Sequence, residues 1–353
     1  MDANRIQSTP IIKKETKNKI RVEFEGRTSA WERFKLKVFS VSFLKDVVWY
    51  IFRLILLIGI SYVIIYPFIS KVASSFMSRE DFVDATVLLI AKHPTLETYK
   101  AVIVDNEYFR AMLNTFVLSA STAIIQTFIT CLIGYGFAKF KFKGRKLLFM
   151  FVVLTMIVPH STVRLSMFMK FRYFDILGIF NFLGGGVFES IDILKFTDIS
   201  LINSFMPFYI LSATGLAFKN GLYIFMLRQF FRGVPDELEE SAYIDGSGPF
   251  RTFVQIILPL SVPMLITVFM FAFSWQWTDN YYTRVFFTHQ GPYTLRAFIK
   301  IPRSLDTEYP GQNMYVAAIR NTCGILIMLP LILIYAFLQR YLVQGIERSG
   351  IIG

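Results

Sequence analysis

The sequence contains few charged residues and few cysteines, and each shortage excludes a class of protein. Asp, Glu, Lys and Arg make up 18% of the 353 residues, whereas an average soluble domain has about a quarter. The two cysteines, Cys131 and Cys323, lie in apolar runs without CxxC or Cys/His ligand spacing. This pattern argues against a disulfide framework and a zinc site, and it predicts two small buried side chains.

Signatures of catalysis and of nucleotide binding are missing as well. His93, His160 and His289 are scattered, and the sequence contains no HExxH, no GxSxG and no GxxxxGK[ST]. A polytopic membrane enzyme would need a convergent set of catalytic groups, so this alternative is left without a candidate site. Without a phosphate-binding loop the chain must also rely on another protein for any use of ATP.

Apolar residues, by contrast, are abundant, since 54% of the chain is hydrophobic and 38 residues are Phe. About 20 mostly apolar residues are needed for a helix to cross a bilayer. Six segments qualify, near 47–69, 112–138, 147–169, 201–227, 257–278 and 319–340. The pattern predicts an all-α polytopic membrane protein with six transmembrane helices over 47–353, preceded by a polar segment over 1–46.

The basic residues predict the orientation of these helices. Segment 1–46 and the loop Lys139–Lys146 are rich in Lys and Arg, which places both in the cytoplasm and, with six spans, both chain termini there too. The loops near 70–111, 170–200 and 279–318 then lie outside. Membrane topology and anionic lipid explain the net charge of +12 better than nucleic acid does.

The segment before the first apolar run leaves two interpretations open. Trp31, Phe34, Val38 and Phe39 recur near a helical period, which is typical of a helix lying on the lipid surface. A loosely ordered cytoplasmic tail is the alternative.

The loop 228–256 joins the fourth and fifth apolar segments and is predicted to form two short helices with a sharp corner. Gly233 ends the preceding helix, Pro235 suits a first helical position, and Leu238 and Ala242 give one apolar edge. Negative charge is favoured at a helix N-terminus. Four carboxylates follow in that place: Asp236, Glu237, Glu239 and Glu240. Taken alone, this run is typical of a solvated helix start.

The corner is predicted from local backbone chemistry. Asp245-Gly246 supplies a turn in which glycine adopts a left-handed backbone, and Ser247 or Gly248 before Pro249 restarts a helix that runs toward Pro259. Such an elbow, with small residues at its bend and carboxylates on its rim, suits insertion into a groove on another protein. It has the form of a lever and not of a catalytic site.

This loop resembles the EAA loop of ABC-importer permeases. Glu240-Ser-Ala-Tyr-Ile-Asp-Gly246, followed by Pro259, matches a core of E-A-A, three residues and G that ends at a Pro, with Ser241 in place of one Ala. Further segments resemble carbohydrate permeases of the MalG type: Asn114-Thr115, Gly134–Lys139, Leu227–Phe231 and Gln339–Gly345. The likeness extends from about residue 50 to the C-terminus, although the tail Ser349–Gly353 departs from it.

The resemblance implies a type I ABC importer permease in a bacterial cytoplasmic membrane. Its implied partners are a second, distinct permease, two ATP-binding subunits that hold ATP and Mg, and an extracellular solute-binding protein that delivers a sugar. This chain itself would bind no cofactor and no metal and would catalyse nothing. An importer of another solute stays open, because permeases for amino acids, peptides, phosphate and metals share the loop.

The resemblance also implies which residues couple the chain to the ATPase. They are Glu240, Ser241, Ala242, Asp245, Gly246, Ser247 and Pro259. Glu240 would pair with the ATPase, Gly246 would permit the bend, and Asp245 would cap the second helix.

A substrate path is predicted near the outer ends of the third and fifth spans. Its candidates are His160, Arg164, Trp275, Trp277 and Asp279. An ionisable group inside a membrane needs water or a partner, and aromatic faces suit sugar rings. Two alternatives remain: structural pairing of His160 and Arg164 with the partner subunit, and an interfacial aromatic belt that contains both tryptophans.

Overall fold

The computed structural model describes residues 12–15, 21–24, 41–175, 200–288, 291–305, 307–308 and 312–348. The chain divides into two compact units, Met1–Ser70 and Lys71–Gly353. The described helices are α1 (Val41–Ser75), α2 (Glu97–Asp105), α3 (Tyr108–Lys139), α4 (Arg145–Ile157), α5 (Arg164–Arg172), α6 (Met206–Ala213), α7 (Asn220–Arg232), α8 (Glu237–Ile244), α9 (Pro249–Thr252), α10 (Leu258–Leu260), α11 (Val262–Trp277), α12 (Tyr282–Phe286), α13 (Leu295–Phe298) and α14 (Gln312–Arg348).

The first unit contains a small exception to the predicted all-α fold. Strands β1 (Ile12–Glu15) and β2 (Arg21–Phe24) form an antiparallel hairpin in which Ile12 pairs with Phe24. In β2, Val22 and Phe24 alternate with charged residues, the two-residue period of a strand. The residues on which the surface-helix prediction rests, from Trp31 to Phe39, lie outside the described part of the chain.

Three of the predicted membrane spans are confirmed as long apolar helices. Lys45–Ser75, Tyr108–Lys139 and Gln312–Val343 are each long and apolar enough to cross a membrane. The most hydropathic stretch of α1 has no buried residue, so its apolar surface needs lipid or another protein to cover it.

Two further predicted spans are sharply bent. Arg145–Ile157 and His160–Arg172 meet at 92°, and Pro249–Leu260 and Val262–Trp277 meet at 75°. In the first pair Val158 is extended (ψ 120°), because a residue that precedes proline, here Pro159, is pushed out of the helical region. If each bent pair counts as one span, the described helices provide up to five candidates.

The predicted continuous helix over 201–227 is replaced by α6 and α7. The backbone is left-handed at Gly215 (φ 75°) and at Lys219 (φ 68°), and the N–H groups of Leu216 and Ala217 both bond to the carbonyl of Leu211. This turn interrupts the helix although the composition stays apolar. The hydropathy pattern did not reveal the break, because apolar content carries no information on local backbone geometry.

Helix α3 lies at the centre of the second unit, where it contacts α6, α7 and α11. Its approach to α7 is set by Gly134, since a β carbon there would lie 2.8 Å from Leu227 Cβ and 3.2 Å from Arg228 N. Small residues permit such close packing between membrane helices. At Gly136, two residues further along, a β carbon would meet nothing within 4 Å.

The two glycines of α3 provide a matched test of this packing. Gly136→Ala should leave the melting temperature unchanged or raise it, since alanine favours helix by about 1 kcal/mol over glycine. Gly134→Ala should lower it, because overpacking costs roughly 1–3 kcal/mol. A thiol-reactive dye can follow unfolding, since Cys131 and Cys323 are both buried. The packing assignment is wrong if the two variants melt alike.

Candidate coupling loop and outer cavities

The first helix of the predicted elbow is α8. It begins at Glu237 with Asp236 as its N-cap, so Pro235 precedes the helix and does not occupy the predicted first position. Gly233 terminates α7 as predicted. At the other end Ser247 N–H bonds to Ala242 O (2.9 Å) and Gly246 N–H bonds to Tyr243 O (3.1 Å). This pair of bonds is a Schellman motif. The left-handed glycine predicted for the corner is confirmed at Gly246, with φ at 81°.

The second helix begins at Pro249, as the sequence predicts, with Gly248 as its N-cap. No side chain provides a cap hydrogen bond there, and Asp245 is instead the C-cap residue of α8. Capping of the second helix by Asp245 is therefore wrong, because three residues of turn separate it from that helix. Pro259 lies in α10, and the chain bends at Ser261.

A buried lysine at the end of α3 holds the start of α8. The Lys139 ammonium donates to Asp236 Oδ1 and, at 2.7 Å, to Val234 O. It also lies 3.8 Å from Glu239 Oε2, and its side chain is only 6% exposed. The same interaction lowers the pKa of the Asp236 carboxyl, because the hydrogen bond from Lys139 favours the ionised form. Glu239 therefore faces a cation, not solvent.

Tyr135, one helical turn before Lys139, joins three elements at this place. Its hydroxyl donates to Glu239 Oε1 (2.9 Å). Its ring lies 5.5 Å from that of Phe231 at the end of α7 and 4.6 Å from that of Phe253 in the second helix of the elbow. A displacement of α8 is thereby resisted by contacts to the membrane helices on both sides.

The opposite face of α8 is open. Glu240 and Ser241 are exposed, Ile244 is 87% exposed, and Phe250 beside the corner is 78% exposed. Of the predicted apolar edge, Ala242 is buried whereas Leu238 is exposed. The face therefore combines carboxylates with uncovered apolar side chains, a composition suited to docking.

A second region lies at the other end of α3. Asn114 Nδ2 donates to Tyr293 O (2.8 Å), and Leu295 N–H donates to Thr115 Oγ1 (2.9 Å). Asn114 and Lys139 are about 38 Å apart along a straight helix. The elbow and the segment around Tyr293 thus occupy opposite ends of one apolar helix.

The five predicted path residues do not share one cavity. His160 and Asp279 line a cavity of about 600 Å³; Arg164 lines another of about 1030 Å³. Trp275 borders a narrow hollow beside Asp279. Trp277 lines none of these cavities, is 3% exposed and donates its Nε1–H to Ile327 O (3.0 Å).

Asp279 and His160 also form hydrogen bonds that stabilise the local structure. The Asp279 carboxylate accepts the backbone N–H groups of Tyr281, Tyr282 and Thr283, which stabilises the start of α12. Burial raises the pKa of Asp279, although those hydrogen bonds act in the other direction. His160 Nδ1 lies 2.6 Å from the Tyr282 hydroxyl, so its pairing lies within this chain.

Sequence reasoning gave no individual role to several residues of these sites. Lys219 in the smaller cavity places its ammonium 4.7 Å from the Phe218 ring centroid and 5.0 Å from that of Trp275. Arg284 and Arg296 join Arg164 in the larger cavity. The sequence offered one signal for such residues: a cation at the end of an apolar span, such as Lys139, needs an anionic partner or water.

Most of the chain is similar in sequence to known transport proteins. The family described as "Binding-protein-dependent transport system inner membrane component" matches residues 126–348, more than half of the chain. The maltodextrin transport system permease protein MalD of Streptococcus pneumoniae is 26% identical over 306 residues, 83% of this chain and 92% of that protein. The galactooligosaccharides transport system permease protein GanQ of Bacillus subtilis is 26% identical over 303 residues, 85% of this chain and 94% of that protein.

A solved structure has the same fold. A chain in the crystal structure of a bacterial ABC transporter involved in the import of the acidic polysaccharide alginate superposes with a TM-score of 0.61 at 18% identity. The match covers 86% of this chain and 98% of that chain. The described part of the chain therefore has an ABC transporter permease fold.

The role of Lys139 can be tested on the purified chain by hydrogen exchange. Lys139→Met should raise amide exchange across Glu237–Ile244 about tenfold or more, because the charged hydrogen bonds it removes contribute roughly 1.5–3 kcal/mol each. Lys143→Met removes the same charge from an exposed position and should leave that exchange unchanged.

A double variant separates lost packing from lost charge pairing. Lys139→Met with Glu239→Gln should exchange more slowly than Lys139→Met alone, since a buried unpaired carboxylate is then absent. Equal exchange in both variants would show that Lys139 and Glu239 are not coupled.

Proposed function

Since this chain belongs to the family of binding-protein-dependent transport system inner membrane components, we propose that it is the permease subunit of an ATP-driven importer. One observation carries the proposal: α8 is fixed to the membrane helices on one face and uncovered on the other. A helix held in this way can pass the movement of a partner into the membrane domain, provided that the partner contacts it differently in two states.

The uncovered face specifies the partner that we propose. The Glu240 carboxylate has no hydrogen bond or ion pair in the described part of the chain, and it lies one turn from the exposed Ile244. An apolar groove with a basic rim on a cytoplasmic ATPase would complement this pair. ATP and Mg would be bound by that ATPase, because this sequence has no phosphate-binding loop.

For the cargo we propose a sugar or oligosaccharide delivered by an extracellular solute-binding protein. Relatives named as permeases for maltodextrin and galactooligosaccharides support this cargo over most of the chain. The smaller cavity offers matching chemistry, since the Phe218 and Tyr282 rings line it together with His160 and Lys219. Aromatic faces beside a few polar groups are suited to sugar rings.

We propose six membrane crossings with both termini in the cytoplasm. Three long helices, the two bent pairs and the broken α6–α7 segment would provide them. The basic loop Lys139–Lys146 and the position of Asn114 at the far end of α3 support this orientation. A second, distinct permease and two ATP-binding subunits would complete the importer in the bacterial cell membrane.

Charge reversal at Glu240 tests the coupling. Glu240→Lys should reduce solute uptake and binding-protein-stimulated ATP hydrolysis by tenfold or more in the reconstituted importer, on the scale of a lost charge-assisted contact. The chain should still insert, because Glu240 is exposed and its carboxylate holds no hydrogen bond or ion pair in the described part of the chain. Glu97→Lys makes the same change at an exposed position of α2 and should have no effect. Normal uptake by Glu240→Lys would refute the proposed coupling.

A substitution at the corner tests its geometry. Gly246→Asp places a side chain at φ 81°, a left-handed backbone that Asp adopts only occasionally, and it adds a charge to the docking face. We expect normal insertion with uncoupled ATP hydrolysis. The chain purified alone should neither transport nor hydrolyse ATP, whereas a membrane enzyme would be active alone.

A further inference from the structure

The larger cavity has a strongly basic lining. It encloses about 1030 Å³ at the end of α3 opposite the coupling loop. Among the described residues, the charged ones that line it are Arg164, Arg284 and Arg296, and none of those lining it is a carboxylate. The remaining walls include four hydroxyl side chains and three aromatic rings: Ser161, Thr162, Thr288, Thr294, Phe168, Phe287 and Tyr293.

Two of the arginines are held by a shared hydrogen-bond acceptor, but no carboxylate among the described residues pairs with them. Arg284 Nε donates to Asn280 Oδ1 at 3.0 Å, and Arg296 Nε donates to the same oxygen at 3.1 Å. One amide oxygen thus holds two guanidinium groups side by side and leaves their terminal nitrogens available. None of the three arginines forms an ion pair with any residue in the described part of the chain.

The three arginines are exposed, and the two that share Asn280 lie close enough for their charges to interact. Burial lowers the pKa of Arg296, the charge of Arg284 lowers it further, and Asp279 acts in the opposite direction. The Asp279 carboxylate is already engaged by three backbone N–H groups. Like charges gathered in one concave place attract an anion, and a guanidinium binds a carboxylate through two parallel hydrogen bonds.

The cavity walls are fixed by hydrogen bonds to other elements. Asn114 and Thr115 of α3 hold the backbone at Tyr293 and Leu295. On the other side, Asn203 Oδ1 accepts both the N–H (2.7 Å) and the hydroxyl (2.9 Å) of Thr288. Groups held in place before binding lose little freedom when a ligand arrives.

We propose that this cavity is a binding subsite for saccharides that carry carboxylate groups, with Arg164, Arg284 and Arg296 recognising the carboxylates. The proposal rests on the proposed function, since it names the class of sugar that the importer carries. Hydroxyl side chains and the Tyr293 ring provide contacts for the sugar itself. An acidic surface of the solute-binding protein is the rival ligand, but a concave cavity of this volume suits a small ligand better than a flat protein face.

Binding to the assembled importer in lipid nanodiscs, without binding protein, tests the subsite. The probes are a galacturonate trimer and a neutral galactose trimer of the same length. Isothermal titration should give at least tenfold tighter binding of the acidic trimer, weakening as salt is added. Equal affinity for the two trimers would overturn the proposal.

Arginine variants assign the effect to this cavity. Arg164→Gln and the double variant Arg284→Gln/Arg296→Gln should each weaken binding of the acidic trimer by about tenfold or more. The Arg164 side chain is exposed and forms no hydrogen bond in the described part of the chain, so its loss should leave the fold intact even if the double variant is unstable. Arg110→Gln removes the same charge from an exposed pair with Glu107 and should change nothing.

Two further results would contradict the subsite. If Arg164→Gln and a folded double variant bind the acidic trimer with wild-type affinity, the arginines do not recognise it. Variants that bind the trimer normally but lose affinity for the sugar-free binding protein would assign the patch to protein docking. Neither result touches the coupling loop, whose failure would appear as normal uptake by Glu240→Lys.

Discussion

The geometry of the coupling region depends on how closely α3 approaches α7. A side chain at Gly134 would collide with Leu227, so the two backbones meet almost directly. Lipid tails are as apolar as leucine, and membrane helices therefore gain little from burial against each other and rely on this kind of contact. Tyr135 and Lys139 follow Gly134 by one and five residues, so the same approach brings both within reach of Glu239 and Asp236.

Helix α3 also connects the two candidate functional regions. Its C-terminal end holds the coupling loop through Lys139, and its N-terminal part holds the arginine-lined cavity through Asn114 and Thr115. A regular helix is stiff over such a length, so a tilt at one end displaces the other. Communication between the two ends needs two arrangements of packed elements, and the breaks between α4 and α5 and between α6 and α7 provide places where packing can change.

The sequence predicts features that depend on neighbouring residues. The three long apolar helices can be predicted from composition, and the left-handed corner can be predicted from the presence of Gly246. Features that join distant parts of the chain could not be predicted in this way. Lys139 and Glu239 are 100 positions apart, and Arg164 meets Arg284 only because α5 and α12 pack together. Burial of Trp277 and the engagement of Asp279 by backbone N–H groups likewise depend on packing and on local turns that an apolar pattern does not encode.

The exposed apolar residues at the elbow have a consequence for the life of the protein before assembly. Ile244 and Phe250 are almost fully accessible, and apolar side chains of that size attract chaperones, proteases and other unfinished chains when they are left in water. A copy synthesised in excess of the proposed cytoplasmic ATPase would expose these apolar side chains until they are covered. The surface proposed to contact the ATPase would thus also distinguish assembled subunits from unassembled ones. Removal of unassembled copies would then set the ratio in which the subunits accumulate.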